Sequence, residues 1–198
     1  MSGHAQEPST VPEDDLAPTQ TAGYKVTAAK TLDEYNKLDA EDESLNKWKA
    51  SLGLGGGGAG GKVEGPNIHC LVLSLTAPSR PTPIEFDLTN PSALSSLKKE
   101  PEGAEYNVEL KFKVNNLTSG LKYIQAVRRA GLTVDKLETM LGSYGPTADP
   151  VVKKFVTEEA PSGMLARSGS YSVRSRVIDD DKNVYIDFEW SFKLAKDW

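Results

Sequence analysis

The chain has 198 residues, 38% of them hydrophobic, and a net charge of −5, which sets the expectation at one domain or one domain with an appendage. The charge sits at one end: residues 1–64 carry eleven acids and six lysines, whereas residues 65–198 carry seventeen charges of each sign. An acidic segment on a neutral body argues against nucleic acid and for a basic protein surface as partner, and the single cysteine, Cys70, precludes an internal disulfide and suits a reducing compartment.

The first residues, MSGHAQEPSTVPEDDL, have no basic stretch followed by an apolar one, so no secretory leader is expected. No run approaches the ~18 apolar residues of a membrane span. The expectation is a soluble, cytoplasmic protein. Residues 1–23 are rich in Pro, Ser, Thr, Ala and acid, too poor in large apolar side chains to offset their ordering entropy, and disorder is predicted. Thr31 and Glu34 then form a capping box that opens a helix. Leu32, Tyr35 and Leu38 share one helical face, and Leu45, Trp48 and Leu52 share a second. Asp39–Ser44 between them is rich in N-cap residues, so two short helices with a break are predicted. Helices this short are marginal in water without tertiary contact. They lie on their own domain or fold on a partner, and the few apolar residues anchoring so much charge favour the partner. Gly53–Gly61 reads as a flexible tether; it lacks the Gly-Lys-Ser/Thr ending and preceding strand of a phosphate-binding loop. Residues 1–64 are thus expected to form a flexible arm with short helices, and residues 65–198 the body.

From Ile68 the apolar period becomes two. Residues 68–75 read as a buried strand, and Ile84, Phe86 and Leu88 alternate with acids. Tyr106 to Val114 alternates throughout, as does Tyr171 to Val177. Ile186, Phe188, Trp190, Phe192 and Leu194 against Asp187, Glu189, Ser191 and Lys193 make the most regular run. Turn signals, including Ser119-Gly120, Ser143–Pro146 and Asp179–Asn183, separate these segments. The pattern predicts an all-β fold, an antiparallel β-sandwich.

Catalytic chemistry is hard to assemble from these residues. His4 lies in the predicted disordered tail. His69 and Cys70 are neighbours in a strand, so their side chains point to opposite faces and cannot act as base and nucleophile. No Cys/His set has metal-ligand spacing, and Asp179-Asp180-Asp181 lacks the spaced alternation of a calcium loop and reads as a charged hairpin tip. A binding function without cofactor or metal is expected.

Six stretches, in order, resemble the Rho GDP-dissociation inhibitor family. They are LDAEDESLNKWK (38–49), IEFDLT (84–89), SGLKYIQ (119–125), GSYGP (142–146), EEAPSGMLARSGSYSVRSRVIDDDK (158–182) and FEWSFKLAKDW (188–198). The resemblance covers about Tyr24 to the C-terminus. It implies an immunoglobulin-like sandwich that holds the geranylgeranyl group of a Rho-type GTPase, and a helical arm that lies on the GTPase switch regions. It also implies extraction of GDP-bound GTPase from membranes, slowed GDP release, and a monomer that forms a heterodimer with its GTPase after a transient membrane encounter.

By the same resemblance, Val72, Tyr106, Val173, Phe188 and Trp190 match positions around the lipid pocket. Residue type alone would make them ordinary core. Asp42, Ser44, Leu45 and Trp48 become the arm's candidate GTPase contacts, with Trp48 standing where the family often has tyrosine. Asp135, Glu158, Glu159 and Asp180 match acidic positions near the GTPase or its basic tail. Singly, each is a surface charge worth little; together they suit steering of a polybasic partner. The sequence departs from the family pattern at three places. Lys99–Tyr106 is shorter and carries Glu100-Pro101-Glu102 in place of an apolar strand segment. Asn115–Thr118 is one residue short, and Ser168 is inserted in the LARGSYS run. Two alternatives remain: a general prenyl- or acyl-cargo carrier, against which the acidic arm argues, and an adhesion-type module, against which the lone cysteine argues.

Overall fold

A computed structural model of the chain describes residues 13–19, 40–51, 65–90, 97–101, 105–159 and 169–195, with the single positions 23, 34 and 37. The expected helix from Thr31, the glycine tether and the Ser168 insertion lie outside the described residues, except that Glu34 and Lys37 are helical. One helix, α1 (Glu43–Ser51), matches the second helix expected in the arm. A 3-10 turn, Glu13–Leu16, precedes it.

Nine strands lie among the described residues: β1 Ile68–Ala77, β2 Arg80–Asp87, β3 Leu97–Pro101, β4 Glu105–Val114, β5 Thr118–Arg129, β6 Leu132–Tyr144, β7 Val151–Glu159, β8 Ser170–Ile178 and β9 Val184–Ala195. They form two sheets, ordered β2-β1-β4-β7 and β3-β9-β8-β5-β6. The predicted all-β sandwich is the observed class. One pairing departs from the antiparallel expectation: β3 runs parallel to β9, Leu97 opposite Ser191 and Pro101 opposite Ala195. The segment that departs from the family pattern thus still makes a strand. It enters at a sheet edge, where a proline without an amide proton is tolerated.

The periodic strands pack as predicted. Leu73, Leu75, Ile84, Phe86, Val108, Leu110, Phe112, Val173, Val177, Phe188, Trp190 and Phe192 all belong to one buried cluster between the sheets. Three ring pairs bridge the two layers: Phe86 with Trp190 at 4.8 Å between centroids, Phe112 with Tyr144 at 5.2 Å, and Tyr123 with Phe155 at 4.9 Å. Such pairs each add about 0.5–1.5 kcal/mol beyond their area burial.

Two local features differ from the sequence reading. Ser119-Gly120 is no turn; it is a register irregularity inside β5, between Thr118 and Leu121. Gly120 has φ of 61°, and a Cβ there would overlap the Asp180 carboxylate, so the backbone can bulge only at a glycine. The second difference lies in residues 13–19, read from composition as disordered: Leu16 is 0% exposed, packed with Ile124, Ala126 and Ile178.

Candidate binding site

Strand register decides which candidate residues meet. Val127 on β5 faces Val173 on β8, and Val173 faces Trp190 on β9, so these three form one row across the inner face of the five-stranded sheet. Asp135 on β6 continues that row at the exposed sheet edge. Phe188 lies opposite Ser175, one inward-facing step away. Val173, Phe188 and Trp190 are 0%, 4% and 5% exposed. Their alternation buries them, as the period-two pattern requires.

Trp190 is held from both sides. Its ring meets Phe86 of the opposite sheet, and Phe192 of its own strand at 5.7 Å. Its Nε1–H donates to Ser175 Oγ at 3.3 Å. Ser175 Oγ also shares a hydrogen bond of 2.9 Å with the Tyr123 hydroxyl, which donates to Gln125 Oε1 at 2.7 Å. Ser175 and Gln125 are buried, and mutual pairing offsets their desolvation. Sequence reading missed this network. Its signal was the polar Gln125 and Ser175 at inward positions of otherwise apolar strands.

Tyr106 is half-buried and packs against the same core from β4. Which end of the sandwich it occupies follows from the ring pairs. Tyr144 is the partner of Thr118 and touches Phe112, whereas Phe155 is the partner of Val108 and touches Tyr123. β4 therefore runs against β5, and Tyr106 lies toward the Val127 end. Glu158 is the strand partner of Tyr106, and Glu159 of Glu105; both positions fall at that end, with Asp135.

Val72 does not join this set. A register shift between Cys70 and Val72 places Val72 opposite Asp87 and Lys111, both exposed, on the outer face of the four-stranded sheet. The inner positions of β1 are Ile68, Cys70, Leu73 and Leu75. The extra residue of a bulge moves everything beyond it to the other face, and no periodic reading of IHCLVLSL reveals it.

Asp180 is likewise set apart. Its carboxylate lies 3.1 Å from Lys122 Nζ, and its backbone N–H donates to Ser119 O. Gly120 N–H donates to Ser143 Oγ at 3.0 Å. SGLKYIQ, GSYGP and IDDDK, distant in sequence, therefore meet at the Lys122 end of β5, while Asp135 sits five residues along the strand, roughly 17 Å away. Next to Asp180, Asp179 ties the hairpin: its carboxylate accepts from Asn183 N–H and Nδ2 and from the Tyr185 hydroxyl at 2.6 Å. Burial, then that hydrogen bond, pushes the Tyr185 hydroxyl well above its ordinary value. The hairpin-tip reading of the three aspartates holds.

His69 is exposed while Cys70 is buried, as predicted for strand neighbours, and burial pushes the Cys70 thiol up to about 12. Among the described residues, no group of three or more His, Cys, Asp or Glu gathers as a metal site, and no helix is long and apolar enough to cross a membrane.

The arm helix starts on an N-cap. Asp42 Oδ1 accepts from Ser44 N–H at 2.9 Å and Leu45 N–H at 3.0 Å, and Asp42 O accepts the first helical bond from Asn46. This is the N-cap geometry that stabilises a short helix by about 1 kcal/mol. Glu43 and Lys47 pair at 2.8 Å with both side chains largely exposed, worth a few tenths of a kcal/mol at most. Ala40, Glu41, Asp42, Glu43 and Leu45 line a shallow concavity at this end. Asp42, Ser44 and Leu45 are exposed there; Trp48 belongs to the helix, its side chain outside the described residues, as are those of Glu158 and Glu159.

An apolar seam between two sheets, acidic strand positions at one of its ends and a helix capped by Asp42 before it define a binding module. A family model described as RHO protein GDP dissociation inhibitor matches residues 9–197. The chain is 43% identical to the Rho GDP-dissociation inhibitor of Schizosaccharomyces pombe, over 85% of this chain and 84% of that protein. It is also 43% identical to Rho GDP-dissociation inhibitor 1 of Homo sapiens, over 90% and 88%, and 42% identical to the Rho GDP-dissociation inhibitor of Saccharomyces cerevisiae, over 87% and 90%. The chain belongs to the Rho GDP-dissociation inhibitor family, whose members are regulators and not enzymes.

Proposed function

We propose that this chain binds prenylated Rho-family GTPases in their GDP-bound form, slows GDP release, extracts them from membranes and keeps them in the cytoplasm as one-to-one heterodimers. The observation that carries this reading is the Val127–Val173–Trp190 row, an apolar seam within a chain of this family that ends at the exposed Asp135. A geranylgeranyl chain gains about 0.8 kcal/mol per buried CH₂, on the order of 10 kcal/mol in all, so only a dry pocket competes with the bilayer. The seam is closed by side chains: Phe86 meets Trp190 across the layers. Lipid entry therefore means parting Phe86 from Trp190, with Tyr106, Val173 and Phe188 as further walls.

The arm supplies the inhibitory half. Asp42 commits Oδ1 to the cap and turns its other oxygen, with the Ser44 hydroxyl, toward switch-loop donors. A charge-assisted hydrogen bond there opposes the loop opening that nucleotide release requires. Asp135, Glu158 and Glu159, at the end of the seam that also carries Tyr106, steer the basic tail that carries the lipid.

The test is extraction of a geranylgeranylated, GDP-loaded Rho GTPase from liposomes, alongside equilibrium binding of the prenylated and unprenylated protein. Extraction and a much tighter hold on the prenylated form are expected. Equal binding of both forms would sink the lipid half of the mechanism.

A further inference from the structure

The outer face of β5 is covered, which is why this strand alternates so poorly. Lys122, Ile124 and Ala126 are buried on the face that points away from the core. Their cover is the chain's own N-terminal segment. Leu16 inserts over Ile124, Ala126 and Ile178. Flanking residues then follow β6: Thr133 Oγ1 donates to Asp15 at 2.5 Å and Lys136 Nζ to Ala17 O at 3.4 Å, while Lys122 Nζ of β5 donates to Thr19 O at 2.7 Å. Glu138 accepts from both the Thr19 N–H (3.0 Å) and the Thr19 hydroxyl (2.8 Å).

We propose that residues 15–19 are a latch that anchors the arm to the outer face of the five-stranded sheet, so that the α1 helix sits on a span held at both ends. The other anchor is the start of β1, where Asn67 O and Pro66 O accept from Asn115. Burying one leucine side chain contributes about 1.5–3 kcal/mol, and the hydrogen bonds of Asp15, Ala17 and Thr19 add to it in holding these five residues. A helix confined at both ends has a higher effective concentration over the sandwich than one on a single tether. The latch is also chemically releasable: a negative charge added at Thr19 would lose the hydroxyl's bond to Glu138 and face its carboxylate, while the nearby Lys122 is already paired with Asp180.

A nitroxide attached to Ala17→Cys tests this in the full chain, since the buried Cys70 thiol escapes labelling. Strong broadening of the Ile124, Ala126 and Ile178 methyl signals is expected, lost in Leu16→Asp and in Thr19→Glu. Absence of broadening in the otherwise unaltered chain, or its survival in Leu16→Asp, would overturn the latch. Confinement, which rests on the functional reading above, predicts that Leu16→Asp weakens binding of an unprenylated GDP-loaded Rho GTPase by about three- to tenfold. An unchanged affinity would overturn confinement; no binding by the unaltered chain would instead count against the functional reading.

Discussion

The arm helix and the five-stranded sheet are stabilised by opposite means. The first turn of α1 is held by contacts of its own, the Asp42 cap and the Glu43–Lys47 pair, and its side chains face solvent, whereas Lys49 in the last turn is buried. The sheet is held by residues far apart in sequence: Trp190 by Phe86 and Ser175, and Asp187 by Arg174 and Arg176. Local contacts of the first kind contribute tenths of a kcal/mol to about one, and buried rings contribute several. Under the proposed function, an arm that folds on its partner gains from being marginal alone, and a sandwich that opens for a lipid needs a stable frame to open against.

The largest test of this contrast is Trp190→Ala. Removing a buried indole costs about 3–5 kcal/mol and strips Ser175 of a donor, so urea unfolding should shift far toward lower denaturant. Trp190→Phe, which keeps a ring in the seam, should retain most of the stability. In both variants, affinity for prenylated GTPase should fall more than affinity for the unprenylated form. Parallel losses would mean that Trp190 serves the frame and not the lipid.

Asp187→Asn is expected to be smaller. Asp187 accepts from Arg174 Nε at 2.7 Å and from Arg176 Nη2 at 2.6 Å. Burial alone would raise its pKa, but the hydrogen bonds and charges of both arginines outweigh that and hold it below the ordinary 3.8. A depressed carboxylate contributes stability that is full above its unfolded value and is lost as pH falls through the folded one. Asp187→Asn should therefore cost about 1–3 kcal/mol at pH 7 and flatten the loss of thermal stability below about pH 4. An unchanged acid limb would remove Asp187 from its cause.

The smallest expected effect belongs to the arm. Asp42→Ala should leave the unfolding midpoint of the sandwich in place and lower the helicity of α1, a cap being worth about 1 kcal/mol. GTPase binding should weaken equally for prenylated and unprenylated forms, and nucleotide exchange should quicken. Asp42→Ser retains a capping oxygen, so recovery of binding in that variant would assign the loss to the cap, and no recovery would assign it to the lost carboxylate.

Local periodicity carried the strands whose two faces differ. β2, β4 and β9 alternate because one side meets the core and the other meets water, whereas β1 switches face at its bulge and β8 buries both faces from Ser175 to Ile178. β5 was legible only in part because Leu16 and its neighbours bury its second face, and β6 because most of its outward length is exposed at an edge. The resemblance named Trp190, Val173 and Phe188, and they do lie on one inner face. It could not separate Val72 from them, since a one-residue bulge leaves no trace in composition.

By itself, the sequence determined the sandwich class, the acidic asymmetry, the short arm helix and the opposite facing of His69 and Cys70, because each depends on local period, spacing or charge. Tertiary structure alone decided that Val72 faces out, that Asp180 is paired with Lys122 across a glycine bulge, and that residues 15–19 lie on the sheet. These are matters of register and of long-range burial. A register slip of one residue changes no local preference yet reverses every side chain beyond it, and a lone leucine in a polar segment becomes core only when a distant strand presents a face for it to cover.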